Sequence, residues 1–309
     1  MPIIIDPDVL KDYLAQFNYI YGTAVADVLV GTDGRDYISG GEGSDWLLGD
    51  DAGDIILGGN GNDAIYGDEG NDYLNGGAGN DAFQGGTGND TILGELGNDK
   101  ASGESGNDAI DGGLGNDTLD GGANNDTLYG GDNADQLFGG LGNDQLLGEA
   151  GNDQLYGGSG WDTLNGGEGH DLLFGEAGND SLRGSDGDVL KGGDGFDIFS
   201  GDENGGLVVA YGEGDSDEFN LRDGAVMIME GGAGADDYVV YEDWSGIAYI
   251  NDFDIVNDAI ELDLFWPSSV TIFEDAQGNA AMSFPGGGVI HFTNIAYSPN
   301  LDFNFEQTP

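Results

Sequence analysis

The chain has 309 residues, with 60 acidic against six basic side chains, a formal net charge of -54, 62 glycines, six prolines and no cysteine. Nucleic acid and anionic membranes need clustered Lys or Arg, and the bases here, Lys11, Arg35, Lys100, Arg183, Lys191 and Arg222, are scattered, so both are poor partners. Disulfides are excluded, and self-repulsion opposes collapse unless counter-charge is supplied.

Residues 1–21 read as an N-terminal cap. Asp6 and Pro7 suit a helix start, and Val9, Leu10, Tyr13, Leu14 and Phe17 form an apolar stripe at helical spacing, so a short amphipathic helix over the first coil is expected. The apolar run Ile3 to Ile5 is too short for a secretory signal, and no segment reaches the length of a membrane span.

Residues 22–200 repeat one nine-residue phrase, clearest in GGNGNDAIY (58–66), GGTGNDTIL (85–93), GGLGNDTLD (112–120) and GGLGNDQLL (139–147). An aspartate stands at the sixth place in strict register from Asp27 through Asp36, Asp45, Asp54, Asp63, Asp72, Asp81, Asp90, Asp99, Asp108, Asp117, Asp126, Asp135, Asp144, Asp153, Asp162 and Asp171 to Asp180, with Asp188 and Asp197 beyond. Two places after each is an apolar residue, from Leu29 and Ile38 to Leu182, Phe83 and Ala101 included. Side chains alternate faces along a strand, so the three residues after each aspartate are expected to form a short strand with only its middle side chain inward, and the six glycine-rich residues before it the turn. Glycine at the fourth place suits positive φ, and where Asn124 and Asn133 replace it the substitute is a residue that tolerates that region. One inward residue per strand buries nothing alone. Copies must stack, two to a coil of 18 residues, into a right-handed parallel β-roll with two parallel sheets.

Stacking places aspartates 18 apart above one another, and glycine turns bring main-chain carbonyls close to them. A hard cation such as calcium wants six to eight oxygens, which paired aspartates and carbonyls supply. The candidate ligands are therefore the aspartates from Asp36 to Asp180 named above, with Asp188 and Asp197, and the register allows about 16 to 18 ions. Val25 and Ala52 at the fourth place make weak or empty positions the expectation near Asp27 and Asp54. Trp161 and His170, at the variable fifth place, read as exposed turn residues.

The phrase resembles GGxGxDxUx, with U a large apolar residue, the calcium-binding signature of the RTX (repeats-in-toxin, haemolysin-type) family. The resemblance implies that carbonyls around the second and fourth places complete each shell, which adds Gly61, Gly70, Gly79, Gly88, Gly97, Gly106, Gly115, Gly142, Gly151, Gly160, Gly169 and Gly178 to the ligand set. It also implies a chain disordered in low calcium that folds outside the cell after export by the type I route.

Residues 201–239 read as degenerate coils that continue the roll. Gly206 and Val226 stand where aspartate belongs, Val208 and Ile228 keep the apolar place, and metal positions drop out except near Asp217 and Asp236. Over 240–309 the period is lost and short alternating runs appear at 248–250, 259–264, 270–273, 280–284 and 289–292, with hairpin turns at 275–279 and 285–288. The stretches GGAGADDYVVY (231–241), INDFD (250–254) and DAIELDLF (258–265) resemble the family's C-terminal cap, which implies a β-rich cap and a type I secretion signal region there.

Catalytic chemistry is not expected: no HExxH and no GxSxG occurs. Phe138, Tyr156 and Phe174 should stack as an aromatic ladder that either covers the thin sheet or binds sugar rings, whereas Ala109 and Gln145 interrupt the column Thr91, Thr127 and Thr163 and weaken an ice-binding reading. The expected function is a secreted calcium-binding roll with a structural or cell-surface role. The alternatives are a carbohydrate-binding adhesin or biofilm protein, whose partner is extracellular polysaccharide or a cell surface, and the non-catalytic tail of a larger secreted enzyme or toxin.

Overall fold

The computed structural model describes residues 16–201, 206–221, 226–241, 244–255, 257–262, 271–284, 287–296 and 305–307. It is an all-strand parallel β-solenoid, with no helix among the described residues. The helix expected over 1–21 lies almost wholly outside the described residues; the end of that stretch, Asn18–Tyr21, is a strand paired in parallel with Asp36–Glu42.

The chain forms two compact units, residues 1–136 and 137–309. In the first, successive strands alternate between two sheets and each pairs in parallel with the strand 18 residues on, which aligns Ile38, Ile56, Leu74, Ile92, Ile110 and Leu128 in one sheet. In the other sheet Leu29, Leu47, Ile65, Phe83, Ala101 and Leu119 align. These columns are the core, and from Ile38 on every member is at most 7% exposed.

The strands are longer than the sequence pattern suggested: Ala64–Glu69, for example, covers six residues. Alternation does not stop at the aspartate's end of the repeat. Ile65 and Gly67 both face inward, so the strand runs on through the next copy's first glycine. A side chain could not stand there, because a Cβ on Gly67 would meet Asp72 Oδ2. The fourth place is constrained in a second way. Gly61 has φ 134°, and a Cβ on it would meet the carbonyl of Gly43 one coil away, while Asn124 and Asn133 accept φ 84° and 85°. The second place also takes positive φ, even where it is Asp50, Asp68, Glu95, Glu104, Glu149 or Glu176, a feature the nine-residue pattern did not signal.

In the second unit the register loosens while the stacking persists. Leu146, Leu164, Leu182, Phe199, Phe219, Tyr238 and Ile260 form one inward column, and Leu155, Leu173, Leu190, Ala210, Met229, Ile250 and Phe292 the other. Ile228, expected inward, faces out, because the inserted residues shift the inward phase to Met227 and Met229. Asn279–Ser283 is antiparallel to both Thr271–Glu274 and Val289–Ala296, and both expected hairpin turns close, through Asp275 N–H to Asn279 O and Phe284 N–H to Gly288 O.

Candidate metal ladder

Each turn delivers its aspartate to the same point of the coil. In the first unit every such backbone N–H, from Asp27 to Asp117, donates to Oδ1 of the aspartate 18 residues on at 2.7 or 2.8 Å. In the second, Asp144, Asp153 and Asp162 repeat the contact, and the ladder then tolerates irregular spacing: Asp171 to Asp188, Asp180 to Asp197, Asp197 to Asp217, Asp217 to Asp236 and Asp236 to Asp258. The aspartates from Asp36 to Asp197 are at most 3% exposed. One edge ends its ladder at Asp188, where the register puts Val208, rather than the expected Gly206, one coil on; the other runs to Asp258, which the period-based reading passed over because it lies 22 residues after Asp236.

That bond uses one carboxylate oxygen and leaves the second. Oδ2 of Asp45, Asp54, Asp63, Asp72, Asp81, Asp90, Asp99, Asp108, Asp117, Asp162, Asp171, Asp180, Asp197 and Asp217 is buried without a hydrogen-bond partner. A buried acceptor in that condition costs free energy, and a charged one costs more. Burial raises eleven carboxyls of the ladder far above the usual range, to about 7 at Asp54, Asp81, Asp90 and Asp162, about 6 at Asp72, Asp99, Asp171, Asp180, Asp197 and Asp236, and about 8 at Asp217. At Asp54 the like charges of Asp72 and Asp36 push further upward, against the pull of the Asp36 N–H.

Carbonyls crowd the same ground. The point where a Cβ of Gly58 would sit meets both Asp63 Oδ2 and the carbonyl of Gly76, and those of Gly59 and Gly61 meet the carbonyls of Gly41 and Gly43. Among the described residues no three His, Asp or Glu side chains converge on one point, so any cation held here takes main-chain oxygens as well as carboxylates. The donor set is all hard oxygen, as calcium requires, and the orphaned Oδ2 row is what a cation would satisfy.

The ends of the ladder differ from its middle. Asp27 and Asp36 each turn Oδ2 to a threonine, Thr23 or Thr32, which donates both its N–H and its hydroxyl. Asp188 Oδ2 takes the Ser185 N–H, where the coil is one residue short. Asp54, in contrast, resembles the perfect copies, because Ala52 adopts φ 76°.

The fifth place is not a free position. Asn62, Asn80 and Asn98, and on the other edge Asn71 and Asn89, each accept at Oδ1 the N–H of the fifth-place residue one coil on, at 2.8 or 2.9 Å. Trp161 and His170 use this bond as donors, to Asn143 and Asn152, and return none, with Trp161 67% exposed. The recurrence of asparagine at that place was the available signal.

The aromatic ladder forms as expected, with Phe138, Tyr156 and Phe174 stacked at centroid distances of 5.0 and 4.9 Å and interplanar angles of 7° and 5°. Both faces of Tyr156 are thus covered by neighbouring rings, and Lys191 lies 5.9 Å over the Phe174 ring. Tyr156, at the centre of the ladder, therefore offers a sugar no bare ring face. In the first unit Ala109 sits in register between Thr91 and Thr127, and in the second Gln145 sits beside Thr163, so neither unit carries an uninterrupted threonine column.

Fold and ladder together define a parallel solenoid whose turns are built from hard-oxygen donors. The family model of the RTX calcium-binding nonapeptide repeat matches residues 21–56, 48–83, 84–119, 111–146, 139–173, 156–188 and 165–199, more than half of the chain. The chain belongs to that family, whose repeats bind calcium. No curated protein matches it. Among solved structures it is similar to a hyperactive, Ca2+-dependent, β-helical antifreeze protein from an Antarctic bacterium, at 19% identity and a TM-score of 0.42 over 94% of this chain and 97% of that one. Likeness at that level carries no conclusion about function.

Proposed function

We propose that this protein is a secreted calcium-binding roll that is disordered in low calcium, folds outside the cell as the ladder fills, and serves a structural or cell-surface role. The observation that carries the reading is the row of buried Oδ2 atoms lacking any partner, with carboxyls raised by that burial. Each ion would take the free oxygens of aspartates one coil apart and turn carbonyls, Gly61 to Gly178 at the fourth places included. About 16 to 18 ions would bring roughly +32 to +36 against the formal charge of -54. Extracellular calcium supplies such ions, and RTX repeat proteins are generally exported, which supports the location.

Binding energy at a site absent from the unfolded chain is folding energy. Circular dichroism and small-angle scattering in calcium and then in chelator test this: a β-spectrum and compact radius in calcium, lost on chelation, are expected. A spectrum unchanged by chelator at pH 8 would refute the proposal.

A further inference from the structure

We infer that the outer face of the first unit carries a binding groove for a neutral oligosaccharide, between Tyr66 and Asp120. It deepens the cell-surface reading, and needs the folded roll but no particular number of ions.

The groove comes from side-chain size in two adjacent outward columns. One column reads Trp46, Ala64, Ala82, Lys100 and Thr118, and the other Leu48, Tyr66, Gln84, Ser102 and Asp120, each pair of neighbours in parallel register. Ala64 and Ala82 are small neighbours in the first column, Ser102 falls between Gln84 and Asp120 in the second, and Ala101 beneath is the smallest member of its core column. The result is a depression of about 410 Å3, within the roughly 300–1,000 Å3 usual for small-molecule sites.

Its lining selects the ligand. Trp46 stacks on Tyr66 at 5.5 Å and 17°, so one face of the Tyr66 ring is covered while the ring itself lines the groove. This differs from Tyr156, with rings on both sides. Along the groove stand Gln84, Lys100, Ser102, Thr118 and Asp120, which offer an amide, an ammonium, two hydroxyls and a carboxylate. Lys100 forms no ion pair among the described residues, so its donors are uncommitted. An apolar ligand would leave these groups unpaired. An anionic one would meet a single ammonium within a chain of formal charge -54. A neutral oligosaccharide lays one ring's C–H face on the exposed side of Tyr66 and pairs its hydroxyls with the donors and acceptors along the groove.

The test uses the full chain in calcium and titrates it calorimetrically with cellotetraose, laminaritetraose, maltotetraose and chitotetraose, with tetragalacturonate as the anionic arm. At least one neutral tetrasaccharide should bind with Kd below about 1 mM. Tyr66→Ala should weaken it about tenfold, Ser102→Trp should abolish it by filling the groove, and Tyr156→Ala should leave it unchanged. Gln84→Ala, a truncation at an exposed position, repeats the test without altering the packing. The inference is overturned if no neutral sugar binds, if only the anionic one does, or if binding survives Tyr66→Ala and Ser102→Trp. Circular dichroism of each sample separates the two readings: lost β-signal in calcium counts against calcium-driven folding, whereas absent binding at full signal counts against the groove alone.

Discussion

Replacing Asp90 by asparagine separates a metal ligand from a turn former. Asp90 is 2% exposed, Oδ1 accepts the Asp72 N–H at 2.8 Å, and Oδ2 has no partner. Its carboxyl is raised from 3.8 to about 7, so keeping it ionised at pH 8 without a cation costs roughly 4 kcal/mol relative to water. Asparagine keeps the acceptor and sheds that cost, so in chelator Asp90→Asn should be no less ordered than the parent. In calcium the sign reverses. Under the proposed ligand assignment, ions shared with Asp72 and Asp108 would lose a charged ligand, and removing one partner of a buried charge pair costs about 3–5 kcal/mol. Calorimetric titration at pH 8 should show one or two fewer ions, and dichroism a higher calcium midpoint. If Asp90 only shapes a turn, asparagine, itself a good turn residue, replaces it without loss. An unchanged stoichiometry and midpoint would therefore refute the ligand assignment.

Acidity should act in opposite directions on the two states. Without calcium, the raised carboxyls mean that the folded state binds more protons than the unfolded one, so their contribution is fully present below about pH 4 and lost as pH rises through 6 to 8. The metal-free chain should thus gain β-signal between pH 8 and pH 5, while the calcium midpoint moves to higher concentration as protons compete; a midpoint flat across that range would contradict the assignment. Ile92→Ala in the inward column should cost about 2–5 kcal/mol in calcium, whereas Leu114→Ala, at a position 47% exposed, should stay within about 0.5 kcal/mol, as read by urea unfolding. Gly61→Ala meets both positive φ and the Gly43 carbonyl and should lower the melting temperature sharply; Gly34→Ala, where the nearest atom is Thr32 Oγ1 at 3.9 Å, should not.

Much of this was legible because a strict period converts directly into stacking. Once Asp63 and Asp81 are 18 residues apart in an 18-residue coil, their vertical relation follows, and so do the inward Ile65 and Phe83. What escaped the reading is what does not depend on the period. The left-handed backbone of Glu95 leaves no compositional mark, since glutamate is an improbable residue for φ 72°. Asp258 escaped because the ladder is kept by hydrogen bonds between coils, which accept spacings of 20, 19 and 22 residues. The groove beside Tyr66 depends on where small outward residues fall in two sheet columns, which is visible only after the register is known.

The two kinds of coil hold themselves together differently, and this bears on where calcium matters. A perfect copy contributes one large inward side chain, such as Leu119, for nine ordered residues, and sets a buried carboxylate beside it. Its apolar burial is small against the conformational entropy lost, and the charge works against it. Beyond Asp197 the balance changes. Phe199, Phe219 and Tyr238 stack at 4.7 and 5.1 Å, and Leu221, Met227, Met229, Val240, Trp244, Ala248 and Ile250 are all fully buried. On the edge that lost its aspartates, Val208 and then Met227 stand in the aspartate's place and leave no carboxylate to neutralise, so apolar contact replaces the ion as the source of cohesion. Dependence on calcium should therefore be steepest in the perfect copies and shallowest past Asp197, so hydrogen exchange at intermediate calcium should protect the Phe219 and Met229 amides before those of Ile65 and Ile92. Simultaneous protection throughout would mean that ions, not side chains, set the stability of both.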